Sequence, residues 1–291
     1  MKFYKYLLIS LLQLLQLIAI ENPEDFVNLL SGTFSDGHRF STGNTLPLVG
    51  LPHAFNHWAP QSIDENINSG SWWFKGSEHV LTWLRCTHQT SPWIGDWGYF
   101  VFAPQLGDVN RNPVSFWEPR GATIKPYLFD ATVAPHNIRM ELAPTMHGAY
   151  FRVTFPIDNR SEKRICFASA NWVGEGIVPG QSPIHYIEGQ ATQVHHDRML
   201  ITNFAVHIRA ESNEAESIER HQDMICFKYK RDTNIATVRM ATSLISSSQA
   251  AVNLGREVPA TTSFEAVRDN ARSVWHKLVY YPFTHFNYML T

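Results

Sequence analysis

Tyr127-Leu-Phe-Asp-Ala-Thr-Val133, Ala134-Pro-His-Asn137, Ile138-Arg-Met-Glu-Leu142, Ala143-Pro-Thr-Met-His-Gly148 and Ala149-Tyr-Phe-Arg-Val-Thr-Phe155 follow one another without interruption and decide the fold. Three apolar runs are separated by two segments rich in turn residues. The first run alternates Tyr127, Phe129, Ala131 and Val133, and the last alternates Ala149, Phe151, Val153 and Phe155. Alternate side chains of a strand share one face, so each run is half buried against a second layer. The same signal recurs at 165–168, 200–208, 224–229 and 236–241, with polar turns such as Asp158-Asn-Arg-Ser161 between. Strands at intervals of roughly ten residues, with no strand–helix alternation and no internal repeat, predict an all-β antiparallel sandwich. A β body of about 235 residues exceeds a single immunoglobulin-like unit, so the sandwich is a large one.

The pattern changes at Ser263. Thr262-Ser-Phe-Glu265 reads as a capping box, and Phe264, Val267, Ala271, Val274 or Trp275, and Leu278 then fall on one helical face. The expected organisation is an apolar leader at 1–20, the sandwich at 21–260, a linker helix at 261–279 and an aromatic tail at 280–291. Such a tail docks onto a partner or marks a truncated reading frame. Lys2 and Lys5 precede an apolar run that ends at Ile20, too short for a confident membrane span, so a signal peptide and secretion are expected. Ile18-Ala19-Ile20 lacks the small-x-small cleavage pattern, which leaves an uncleaved anchor as the alternative.

Composition removes several classes. Lys plus Arg total 24 against 26 for Asp plus Glu, with no basic run, so a nucleic-acid partner is not expected. Cys86, Cys166 and Cys226 allow one disulfide and a spare thiol, or none, and their spacing does not form a zinc ribbon. His53 and His57 are bracketed by prolines and lack the Glu of a helical zinc motif, while the adjacent His195 and His196 would face opposite ways on a strand. No metal is therefore assigned. No Gly-x-Ser-x-Gly elbow is present either. Asn159-Arg-Ser161 is a glycosylation sequon in a polar turn.

Arg85-Cys-Thr-His-Gln-Thr-Ser-Pro-Trp-Ile-Gly-Asp-Trp-Gly98 places two indoles beside a histidine and a carboxylate on a segment bent by Pro92, Gly95 and Gly98. Flat aromatic faces beside hydrogen-bonding groups suit the C–H face and hydroxyls of a pyranose. The plainer alternative is that these rings plug the end of a core. Asp96, between Trp93 and Trp97, is the one carboxylate whose neighbourhood would direct it at a ligand. The glycine-rich loop around Gly37, His38 and Gly43, and the segment from Asn44 to Trp58, are the other two candidate walls.

Together these segments resemble the N-terminal domain of glycoside hydrolase family 92, the exo-acting α-mannosidases. The matching pieces are Gly32-Thr33, Phe40-Ser-Thr-Gly-Asn-Thr-Leu-Pro47, Phe55-Asn-His-Trp58, Ser71-Trp-Trp-Phe74, Arg85-Cys-Thr-His-Gln89 and Ile94-Gly-Asp-Trp-Gly98. The resemblance implies a galactose-mutarotase-like sandwich and a linker helix that leads, in the family, to an (α/α)-barrel. It also implies that the acid, the base and most calcium ligands lie on that barrel, outside this chain. Inversion then uses a water held between two separated carboxylates. This chain is accordingly expected to supply one wall of an α-mannoside or N-glycan site. His38, Asn44, Trp58, His88, Trp93 and Asp96 are the expected substrate-binding residues, no residue is expected to be catalytic, and the chain alone is expected to be inactive. The competing expectations are a free-standing carbohydrate-binding module and a fragment of a broken gene.

Overall fold

The computed structural model describes residues 22–33, 45–62, 74, 78–88, 99–157, 160–168, 171–180, 184–196 and 201–286. The expected leader, His38, Asn44, Trp93, Asp96, Asn159 and the end of the tail lie outside these residues. In chain order the strands are β1 (His57–Gln61), β2 (Val80–Leu81), β3 (Trp83–Thr87), β4 (Phe100–Leu106), β5 (Ser115–Phe116), β6 (Thr123–Lys125), β7 (Leu128–Val133) and β8 (Ile138–Pro144). They continue with β9 (Gly148–Thr154), β10 (Lys163–Ala168), β11 (Asn171–Ile177), β12 (His185–His196), β13 (Ile201–Ser212), β14 (Ser217–His221), β15 (Met224–Tyr229) and β16 (Ile235–Ser243). Two helices follow, α1 (Ser247–Glu257) and α2 (Phe264–Phe286). A six-stranded sheet runs β1-β3-β4-β10-β15-β14, and an eight-stranded sheet runs β11-β12-β13-β16-β9-β8-β7-β6. The fold is the expected all-β antiparallel sandwich followed by a C-terminal helix.

Register explains why the alternation was legible. Phe129 lies opposite Leu142, which lies opposite Phe151, which lies opposite Val238; Ala131, Met140, Val153 and Ala236 form the next row. Both rows point into one core shared by the two sheets. The opposite sheet contributes Phe102, whose ring meets Phe151 edge-on at 5.0 Å, stacks on Phe167 at 5.5 Å and meets Trp58 edge-on at 5.7 Å. Full burial of one such ring is worth about 1.5–3 kcal/mol, so this junction is a main source of adhesion between the sheets. The outward rows carry charge instead: Arg152 bonds Glu141 bidentately, and Arg139 bonds Asp130 the same way.

Cys166 and Cys226 face each other across β10 and β15 and form a disulfide, and Cys86 is a buried free thiol. The helices pack on the outward face of the eight-stranded sheet, where Leu254, Val258, Phe264 and Val267 meet Ala143, Tyr150 and Ala241. Helix α2 starts one residue later than a Thr262 cap would place it. The Ser263 hydroxyl accepts from the Ala266 amide, and the Glu265 carboxylate is held by Arg152 instead of turning back as a capping box would. The helix also runs past 279 to Phe286, through part of the expected tail. A staple at the other end of the chain holds α2 down. Arg272 donates to Glu24 at 3.0 Å and also pairs with Asp25, and the His276 ring lies 2.9 Å from Glu24, whose carboxylate is buried.

Candidate functional site

Five segments meet at one end of the sandwich. They are the loop 51–56 leading into β1, the end of β3, the start of β4, the β8–β9 turn and the residue after β16. Between them lies a cleft of about 780 Å³ lined by His53, Ala54, Phe55, His57, His88, Tyr99, Met146, His147 and Leu244. The volume falls within the range of small-molecule sites, and apolar and aromatic faces alternate with polar ring atoms.

Strand parity decides which residue of the second expected wall faces the cleft. Successive residues of β1 point to opposite faces. Trp58 points inward, 1% exposed against Phe102, whereas His57 lines the cleft. Trp58 is thus packed in the core and does not line this cleft. The segment carrying it does reach the cleft, through its neighbour. His88 lines the cleft with its ring stacked on Tyr99 at 5.1 Å, so the two residues that flank segment 89–98 both contribute to the wall. His38, Asn44, Trp93 and Asp96 lie outside the described residues.

Hydrogen bonds between distant segments fix the wall. The Phe55 amide donates to the Met146 carbonyl at 2.9 Å, and the fully buried Asn56 donates from Nδ2 to the His147 carbonyl at 2.5 Å and to Thr242 Oγ1 at 2.6 Å. The Thr242 amide donates to the same His147 carbonyl at 2.8 Å. Behind this turn stands Glu257, the last residue of α1. It accepts from Thr145 Oγ1 at 2.6 Å and from the His147 amide at 2.8 Å, and lies 2.5 Å from His147 Nδ1. Phe55 stacks on the His147 ring at 5.7 Å. Loop 51–56, turn 145–147, β16 and α1 thus form one rigid unit.

Burial, and secondarily the nearby His88, push the His57 proton affinity below the ordinary histidine value of 6.5. A neutral imidazole both donates and accepts, which suits an uncharged polyhydroxylated ligand better than an ion. No Asp or Glu lines the cleft among the described residues, so the wall they form lacks the carboxylate pair that glycoside hydrolysis requires. No group of three or more His, Cys, Asp or Glu among the described residues is placed to hold a metal, and no step is assigned to one.

Sequence reasoning put His53, Phe55 and His57 on a candidate wall without singling them out, and missed Met146, His147, Leu244 and Glu257 as members or supports of the site. The signal for the first three was present in Leu51-Pro-His-Ala-Phe-Asn-His-Trp58, whose prolines and aromatics mark a shaped loop. Nothing local marked Glu257.

The model of the Glycosyl hydrolase family 92 N-terminal domain matches residues 26–211. Among solved structures, the family GH92 inverting mannosidase of Bacteroides thetaiotaomicron VPI-5482 superimposes with a TM-score of 0.72 at 27% identity, over 88% of this chain and 36% of that one. The family GH92 glycosyl hydrolase ccman5 gives a TM-score of 0.70 at 14% identity, over 88% of this chain and 37% of its own. A family GH92 α-mannosidase of Bacteroides thetaiotaomicron in complex with mannoimidazole gives 0.66 at 16% identity, over 88% and 37%. The chain thus spans a little over a third of the length of each of these proteins. No curated protein matches it. With the family pattern extending over most of the sandwich, this chain belongs to glycosyl hydrolase family 92, whose N-terminal domain it carries.

Proposed function

We propose that the sandwich is the substrate-site-forming part of a secreted α-mannosidase-like glycoside hydrolase, and that the histidine-lined cleft is the wall it offers to an α-mannoside or N-glycan. The carrying observation is the composition of that wall: aromatic and aliphatic surface, imidazoles held by neighbouring loops, and no carboxylate among its described residues. Such a wall binds and orients a sugar, and leaves proton transfer to groups on another domain. The family resemblance implies that those groups, with most calcium ligands, lie on a helical barrel. The mannosidase activity of the similar solved structures supports the same substrate class.

The Cys166–Cys226 disulfide supports an oxidising compartment, in line with the apolar N-terminus and the sequon at Asn159. Expression of the full chain in a secretory host, followed by glycosidase treatment of the medium, tests this. Secreted protein that loses mass on deglycosylation is expected, and cytosolic retention refutes it.

Titration of the full chain with methyl α-mannoside, followed by NMR of the cleft histidines, tests the site. A parallel assay follows hydrolysis of 4-nitrophenyl α-mannoside. The expected result is saturable shifts without turnover by this chain alone. Turnover would refute the division of labour. An unmoved set of cleft resonances would refute the mannoside reading.

A further inference from the structure

The β8–β9 turn carries more constraint than a turn requires. The Thr145 amide donates to the Gly148 carbonyl at 2.8 Å, the Phe55 amide caps the Met146 carbonyl, and the Thr242 amide and Asn56 Nδ2 both hold the His147 carbonyl. These bonds close the turn and seal it to its neighbours without any help from the imidazole. Glu257 nevertheless reaches from the end of α1 to the ring itself, with Oε1 at 2.5 Å from Nδ1. An ionised carboxylate can only accept, so the proton of this bond belongs to Nδ1. In a neutral ring Nε2 is then left with its lone pair. Nε2 has no protein partner among the described residues, and the His147 side chain is 38% exposed where it lines the cleft. Stacking on Phe55 restricts the ring further.

We infer that Glu257 is a positioning residue: it fixes His147 as the Nδ1–H tautomer, so that Nε2 presents a hydrogen-bond acceptor to a hydroxyl of the ligand in the cleft. The ligand part rests on the mannoside reading above. The arrangement is that of a histidine held at one nitrogen by a carboxylate so that the other has a defined role. Here the role is recognition, because a hydroxyl that donates to Nε2 is favoured, whereas a group able only to accept meets an unshielded lone pair. The inference gives α1 a function beyond packing, since its last residue carries information from the helix to the floor of the cleft.

Long-range ¹H–¹⁵N correlation of histidine-labelled full chain at about pH 8, where an ordinary imidazole is neutral, reads the tautomer directly. The Nδ1–H form is expected for His147, and either the Nε2–H form or an imidazolium overturns the inference. In Glu257→Gln the new amide can donate to Nδ1, so the tautomer is expected to switch. Methyl α-mannoside binding should then weaken about tenfold, the loss of one good hydrogen bond. If Glu257→Gln fails to fold, the wild-type tautomer and the response of His147 Nε2 to methyl α-mannoside still decide. Two outcomes separate the inference from the reading beneath it. Shifts at His53 and His57 on titration with a stationary His147 Nε2 overturn the inference and leave the mannoside site standing. No shift at any cleft histidine overturns both.

Discussion

Removal of the Cys166–Cys226 bridge is expected to cost about 4 kcal/mol. The two cysteines are 60 residues apart in sequence, and a loop of that length loses closure entropy worth roughly this amount when the crosslink is cut. The folded state should change little. Both residues are fully buried, and the flanking pairs Ile165 with Phe227 and Phe167 with Ile225 keep the β10–β15 ladder in register without the sulfurs. The effect therefore lies mainly in the unfolded chain. For a protein of this size, 4 kcal/mol corresponds to a fall in Tm of about 8 °C. Calorimetry of the full chain with and without reductant, beside a Cys166→Ala/Cys226→Ala double variant, measures it. The variant should melt with the reduced wild type and not respond to reductant. Thiol titration of the denatured, unreduced chain is expected to find a single thiol, that of Cys86. Three thiols would refute the pairing itself. One thiol with a Tm shift below about 2 °C would refute the loop-entropy argument.

Other outcomes follow from the same structure. Because burial lowers the proton affinity of His57, the unfolded chain takes up that proton first on acidification; this contribution to stability is intact above pH 6.5 and declines below it. Urea unfolding at neutral and mildly acidic pH should show a shallower acid loss in His57→Gln than in wild type, and parallel curves would contradict this. Arg272→Ala strips the buried Glu24 of its guanidinium and leaves, among the described residues, the His276 ring as its side-chain partner, for an expected loss of about 2–3 kcal/mol. A change under about 0.5 kcal/mol by chemical denaturation would show that the staple does not hold α2. A methyl at Gly148 would sit 2.0 Å from the Met240 carbonyl oxygen of β16. Gly148→Ala should therefore destabilise by about 3 kcal/mol through a forced separation of β9 and β16, read as a matching drop in the urea midpoint.

Some of this protein was legible from its residues alone. Alternation over β7, β8 and β9 is a local property, because a strand must place every second side chain on the same side whatever lies opposite. The sheet class, several strands and α2 therefore follow from spacing. The family likeness was also legible, since its motifs are short contiguous segments. Where local signals were diluted the reading failed. β1 looked like a loop because of its prolines, yet it is an edge strand, where Pro60 is tolerated. β11 and β12 were hidden by Gly174, Gly176 and Gly189, and α1 by its small polar residues.

The cleft is a different kind of property. Tertiary structure alone put His57 rather than Trp58 on its wall, because the choice depends on which face of β1 meets the other sheet. It also set Glu257 behind His147, 110 residues away, by folding α1 back across the end of β16 onto the β8–β9 turn. Sequence determines what each segment can be, since backbone sterics and side-chain periodicity act over a few residues. Which segments face one another is settled only when burying the two sheets and the helices fixes a single arrangement, and the site is made of those meetings.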